Sequence, residues 1–137
     1  MNIIVCIKQV LDTGAAIEIL DGKISSPGSP FILNPYDEFA VEEAIRIKAA
    51  LPGSEITVIS LGPDSVKETL KRALAMGADH AVHLFDPLFN GLDNLQLAKI
   101  LATQIQKKPF DLVLCGRQAV DDDMAQVGPA LAVFLKI

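Results

Sequence analysis

Four short apolar runs rich in β-branched residues recur along the chain: Asn2 to Val10, Ile56 to Leu61 ("ITVISL"), His80 to Phe85 and Phe110 to Cys115. Amphipathic stretches of helical length lie between them. Strands joined through helices pair in parallel, and a parallel sheet must be covered on both faces, so the pattern predicts an α/β fold. The expected architecture is a parallel-sheet three-layer sandwich of Rossmann-like kind, with all four runs short enough to be central strands. Half of the residues are hydrophobic and 21% are charged, which excludes disorder and supplies a real core. At 137 residues the chain suits one domain, residues 1–137.

The helices carry their own boundaries. Asn34 stands at a capping position before Pro35, with Asp37 and Glu38 in the first turn, Ala40, Ala44 and Ile47 as an apolar stripe, and Pro52-Gly53 as the stop. Ser65 and Glu68 have capping-box spacing, Val66, Leu70, Ala73 and Leu74 follow at buried spacing, and Gly77 ends the run. A third helix is predicted from Asp93 to Lys108 with Leu97, Ile100, Leu101 and Ile105 inward, and a fourth from Pro129. Between Leu11 and Leu33 the dipeptide Asp21-Gly22 suits a type I′ turn and predicts a small hairpin insertion after the first strand. The chain stops at Ile137 directly after a helix, where such an alternation calls for another strand, so it reads as truncated.

Composition narrows the function classes. A net charge of −5 with mixed signs offers no basic stripe, so nucleic acid and anionic membrane surfaces are not expected partners. Apolar runs no longer than a strand predict no membrane insertion, and a lysine within "MNIIVCIKQV" argues against a leader, so a soluble, unexported protein is expected. Cys6 and Cys115 are too few for a disulfide framework and read as reduced, buried thiols at strand ends.

In an open parallel sheet, ligands bind beyond the carboxyl ends of the strands where the order reverses. The candidate loops follow Cys6, Ile59 and Leu114, and the last, "CGRQAVDDDMAQVGP", is the longest and most polar. Gly116 permits close backbone approach, Arg117 offers a cation, Gln118 an amide, and Ala125 to Gly128 present backbone N–H groups ahead of the helix. Asp121, Asp122 and Asp123 lie upstream of that nest, where one carboxylate can accept from ribose hydroxyls and the others face water or pair with Arg117. An ordinary loop with capping acids remains the competing reading. No G-x-G-x-x-G or G-x-x-x-x-G-K-[ST] occurs, which disfavours dinucleotide Rossmann enzymes and P-loop NTPases. His80 and His83 point to opposite faces of their strand, Glu38, Glu42 and Glu43 read as a solvated helix face, and no catalytic constellation emerges.

Together, "IIVCIKQVLDT", "LNPYDEFAVEEAIRIKA", "SLGPDSVKETLKRALAMGADHAVHL" and "FDLVLCGRQAVDDDMAQVGP" resemble the beta (small) subunit of electron transfer flavoproteins over nearly the whole chain. The resemblance implies an adenine nucleotide alpha-hydrolase-like sandwich without hydrolase chemistry. It implies an electron carrier rather than a classical enzyme, working as half of an alpha/beta heterodimer with flavin dehydrogenases such as acyl-CoA dehydrogenase. The setting implied is the cytoplasm of a bacterium or archaeon, or the mitochondrial matrix of a eukaryote, and the subunit would continue well past Ile137. The family's nucleotide segments fall on Cys6, on Asn34, Pro35, Tyr36 and Asp37, on Leu61, and on Gly116, Arg117, Gln118, Ala119, Val120, Asp121, Asp122, Asp123, Met124, Ala125, Gln126 and Val127.

The resemblance implies AMP in the simpler members and the ADP part of a second FAD in the electron-bifurcating ones. "AQVGP" and "CGRQ" resemble the bifurcating members and "DDD" the AMP-binding ones, where the former more often read "DGDT". FAD is the expectation, with AMP as the alternative. Asn34 to Asp37 are expected to wall the adenosine part, Asp121 or Asp123 to address ribose, and the loop after Leu114 with the helix start to hold the diphosphate. A different class remains open, a stand-alone ATP- or AMP-binding sensor of the universal-stress type.

Overall fold

The computed structural model describes residues 1–16, 18–25, 28–89 and 91–137. In chain order the elements are β1 (Asn2–Cys6), β2 (Gln9–Leu11), β3 (Glu18–Leu20), β4 (Lys23–Ser25), β5 (Phe31–Leu33), α1 (Pro35–Ala50) and β6 (Glu55–Leu61). They continue with α2 (Val66–Met76), β7 (His80–Leu84), α3 (Asn94–Ile105), β8 (Leu112–Cys115) and α4 (Val127–Leu135), with a 3-10 turn at Pro87–Phe89. A four-stranded sheet has the order β7-β6-β1-β8, and its pairs are parallel throughout. β6 and β1 are therefore its inner strands, with β7 and β8 outside them among the described residues.

Side chains alternate across this sheet, which builds two cores. Ile3, Val5, Ile56 and Val58 pack with Val41 and Ala44 of α1 and with Val66, Leu70 and Ala73 of α2. On the other face Ile4, Cys6 and Ile59 pack with Ala98, Leu101, Ala102 and Ile105 of α3 and with Leu131 and Leu135 of α4. This is the expected three-layer sandwich. No helix among the described residues is long and apolar enough to cross a membrane.

The first predicted strand divides in two. Asn2–Cys6 stays in the sheet, whereas Gln9–Leu11 leaves it and pairs antiparallel with β5. The cause is a change of partner: the N–H of Ile7 still donates to the carbonyl of Ile59 at 2.9 Å, but the N–H of Lys8 donates to the Asp37 carboxylate at 2.7 Å. Within this excursion β3 and β4 form the predicted hairpin, with φ of 52° at Asp21 and 72° at Gly22 as a type I′ turn requires.

Helix ends needed correction. Ser65 and Glu68 form no capping box: the Ser65 hydroxyl donates to Gln9 Oε1 at 2.7 Å, and Glu68 pairs with Lys71. Gly77, at φ 134°, does close that helix, but Thr69 is buried there while Leu74 is exposed. The box appears instead on α3, where Asp93 accepts from the N–H of Gln96 at 2.8 Å and Gln96 Oε1 accepts from the N–H of Asp93 at 3.0 Å. α3 ends at Ile105 rather than Lys108, with Ala98 and Ala102 beside Leu101 and Ile105 on its buried face. α4 opens at Val127, two residues before Pro129.

Candidate functional site

The chain runs from β1 outward through β6 and β7, then returns to lay β8 on the other side of β1. The order thus reverses between β1 and β8, and a crevice opens beyond their carboxyl ends. Three segments meet there: Cys6 to Lys8 after β1, the start of α1, and the loop from Gly116 to Gln126 between β8 and α4.

Asp37 and Asn34 tie the three together. Asp37 is 6% exposed; its Oδ2 accepts from the N–H of Lys8 at 2.7 Å and its Oδ1 from the N–H of Gly116 at 3.1 Å. Burial pushes its carboxyl up to about 6 from the ordinary 3.8, against the pull of these hydrogen bonds and of the Lys8 ammonium. Asn34 is 1% exposed and occupies the cap position of α1, yet its side chain makes no cap bond. It donates to the carbonyl of Gln118 at 2.8 Å, and its Oδ1 accepts from the N–H of Val120 at 3.2 Å. Gly116 is required by contact: a Cβ there would lie 2.7 Å from the carbonyl carbon of Tyr36 and 2.9 Å from the backbone nitrogen of Asp37.

The three aspartates have separate partners. Lys8 Nζ reaches Asp121 at 2.7 Å and Asp122 at 3.1 Å, so the expected partner Arg117 is replaced by Lys8. Asp122 also accepts from the N–H of Met124 at 3.1 Å, and Asp123 accepts from Gln118 Nε2 at 2.6 Å. Burial lifts the Asp122 carboxyl, but the Met124 N–H and Lys8 outweigh it and leave it below the ordinary value. Burial likewise pulls the Lys8 ammonium down, and its bonds to Asp121 and Asp122 reverse that to leave it raised.

Beyond the aspartates the backbone adopts φ of 51° at Asp123 and 53° at Ala125, the second an uncommon conformation for a residue with no side-chain polar group to compensate. Among the described residues, the N–H groups of Ala125, Gln126, Val127 and Gly128 meet no protein acceptor. The last two belong to the first turn of α4, whose N–H groups have no intrahelical partner and carry the positive end of the helix dipole.

Of the residues singled out from the sequence, Cys6, Asn34, Asp37, Leu61, Gly116, Arg117, Gln118, Ala119, Asp122, Met124, Ala125, Gln126 and Val127 line this cleft. Pro35, Tyr36, Val120, Asp121 and Asp123 do not. Gly128, the end of the expected nest, and Cys115 line the cleft too, and sequence reasoning passed over Ile7, Lys8, Asn94, Leu97 and Leu101 as cleft residues. Lys8 was the findable one, as a lone cation within an apolar run directly after a strand end. Cys6 and Cys115 face each other in register; the neighbouring Cys115 and burial hold the Cys6 thiol well above its usual range, while the neighbouring Cys6 holds Cys115 below. The histidines separate as expected: His80 is exposed beside Glu55, and His83 Nε2 lies 2.8 Å from the carbonyl of Gly62.

The electron transfer flavoprotein domain matches residues 22–137. The chain is 48% identical over 138 residues to the electron transfer flavoprotein subunit beta of Clostridium acetobutylicum, covering all of this chain and 53% of that protein. It is 47% identical over 139 residues to the caffeyl-CoA reductase-Etf complex subunit CarD of Acetobacterium woodii, again with all of this chain and 53% of that one. Against the electron transfer flavoprotein subunit beta of Bos taurus the identity is 40% over 139 residues, with 98% and 54% covered. The chain thus spans about half the length of the curated relatives it matches. With its parallel sandwich, its hairpin after the first strand and these relatives, the chain belongs to the electron transfer flavoprotein family, as a homologue of the beta subunits.

Proposed function

We propose that the cleft beyond β1 and β8 holds an adenine nucleotide, FAD in preference to AMP. The protein would act with an electron transfer flavoprotein alpha subunit as an electron carrier between flavin dehydrogenases and an acceptor, in the cytoplasm or, in a eukaryote, the mitochondrial matrix. The observation that carries this is the run of four backbone N–H groups, Ala125 to Gly128, without protein acceptors at the mouth of α4. Such a run suits a phosphate better than any other common group.

The donor set fits the nucleotide. Arg117 adds a cation to the backbone nest, and the α1 start at Asn34 and Asp37 gives the cleft a fixed wall. The preference for FAD rests on "AQVGP" and "CGRQ", which resemble the bifurcating members, and Asp122 is the residue that would oppose it. A carboxylate aimed at a diphosphate would cost on the order of several kcal/mol at an effective dielectric near 20. Lys8, shared with Asp121, and the Met124 N–H engage this one instead, which lessens that cost. When bound, FAD supplies the electron-transfer chemistry, whereas AMP would only fill the site. The protein's own residues position and shield; none need serve as acid, base or nucleophile. Asp121 and Asp123 hold the loop through Lys8 and Gln118.

The test is chemical identification of the nucleotide released from the native protein on denaturation. FAD in excess of what the alpha subunit retains is expected. AMP in its place would remove the preference for FAD, and the absence of any adenine nucleotide attributable to this subunit would remove the site.

A further inference from the structure

Cys6 ends β1, Cys115 ends β8, and the parallel register places them directly opposite each other. Both belong to the sheet face covered by α3 and α4, and both line the cleft, so the two thiol side chains are neighbours on its wall. Residues paired in a parallel ladder hold their Cα–Cβ bonds parallel, which keeps the Cβ atoms about 4.7–4.9 Å apart. A disulfide needs Cβ atoms about 3.5–4.5 Å apart, and closing the gap would draw the strands nearer than the ladder's spacing allows. A single atom bonded to both sulfurs has no such difficulty: with thiolate bonds of about 2.3 Å, as for zinc, it spans up to about 4.6 Å between sulfurs.

The geometry points to a two-thiolate chelation site for a trivalent organoarsenical at Cys6 and Cys115. Among the described residues no group of three histidine, cysteine or acidic side chains could hold a metal ion, so the four-ligand closure that zinc requires is missing. A trivalent arsenical needs only two sulfurs from the protein, because its third bond is to its own carbon substituent. With phenylarsine oxide, two S–As bonds form while the arsenic–oxygen bond breaks. The oxygen leaves as water with both thiol protons, and arsenic stays trivalent with no electron transferred. This inference rests on the strand register and stands whether or not the cleft takes a nucleotide.

The native protein, freed of bound nucleotide, is incubated with one equivalent of phenylarsine oxide and read by intact mass and thiol titration. A single phenylarsenic adduct is expected, with two thiols lost, reversed by the dithiol dimercaprol and not by glutathione. Cys6→Ala and Cys115→Ser should each lower adduct retention on the order of a hundredfold, since a second tethered ligand is worth at least that much. Cys115 is half-buried, so its variant keeps the test readable should Cys6→Ala fail to fold. An adduct that persists in the Cys115 variant, or native protein that keeps both thiols free after treatment, would overturn the assignment.

Discussion

α1 and α3 begin in opposite ways. α3 starts with a self-contained capping box, Asp93 and Gln96 each satisfying the other's backbone N–H within four residues of chain. α1 starts with Asn34 and Asp37, residues of equal capping ability, whose side chains instead reach the backbone of Lys8, Gly116, Gln118 and Val120. One start stabilises a helix; the other uses a helix as a fixed post to which distant loops are fastened. A helix start that withholds its polar side chains from its own backbone therefore marks a site, because local consistency is given up where function requires it.

The difference should appear most sharply at the point of closest approach. Gly116→Ala places a Cβ against the backbone of Tyr36 and Asp37, atoms that cannot rotate away. A loss of about 3 kcal/mol is expected, at the upper end for overpacking, measured by urea unfolding. The equivalent test at α3, Asn94→Ala, should change stability by a few tenths of a kcal/mol at most. If Gly116→Ala is equally mild, the loop is not seated on α1.

Asp37 gives the contrast a pH signature. Its folded carboxyl is pushed up to about 6, while in the unfolded chain it ionises near 3.8. Between those values the folded state binds more protons, so acidification from pH 7 to 4 relieves a cost of about 2–2.5 kcal/mol at this group. Above pH 6 that cost is fully present. Relative to Asp37→Asn, the wild type should gain stability as pH falls through this window. Parallel stability curves for the two proteins would show that burial does not raise this carboxyl.

Next come the two cap residues themselves. Asn34→Ala leaves the carbonyl of Gln118 and the N–H of Val120 without their partner, for a loss of about 2 kcal/mol. Amide exchange should speed up across residues 116–127, far along the chain from the substitution. Asp93→Ala should cost about 1 kcal/mol, with faster exchange confined to the first turn of α3. Exchange changes confined to α1 in the Asn34 variant would reduce it to an ordinary cap.

What could be read from the sequence follows the same division. The parallel sheet, the helices and the Asp21-Gly22 turn were legible because each depends on periodicity or on a backbone angle demanded within a few residues. Two of the cleft segments, those after Cys6 and Leu114, followed from the rule that ligands bind beyond strand ends; the start of α1 came only with the family resemblance, and the expected loop after Ile59 contributes Leu61. The fastenings were not legible: Asn34 looked like a cap and Ser65 like half of a capping box, but their side chains found partners 84 and 56 positions away. Short polar side chains serve a local or a distant acceptor equally well, and only the packed fold decides between them. Lys8 stood out as a lone cation, but its role was not legible, since the chain abandons the apolar run at Ile7 to meet Asp37.

The smallest expected effect separates the two kinds of fastening within the site. Lys8→Met removes the ion pairs to Asp121 and Asp122, which are more than a third exposed, but leaves the backbone N–H of Lys8 on Asp37. Exposed pairs contribute about 0.2–1 kcal/mol, weakened by salt, so unfolding stability should fall by less than about 1 kcal/mol, and less still at high ionic strength. Nucleotide retention should respond differently. Without Lys8 the Asp121 and Asp122 charges are uncompensated beside the nest, so a diphosphate should be lost more readily than a single phosphate. A variant that keeps its stability but shifts its nucleotide content from FAD toward AMP would identify Lys8 as the residue that makes three consecutive aspartates compatible with an anion. Unchanged content would place that compensation elsewhere in the loop.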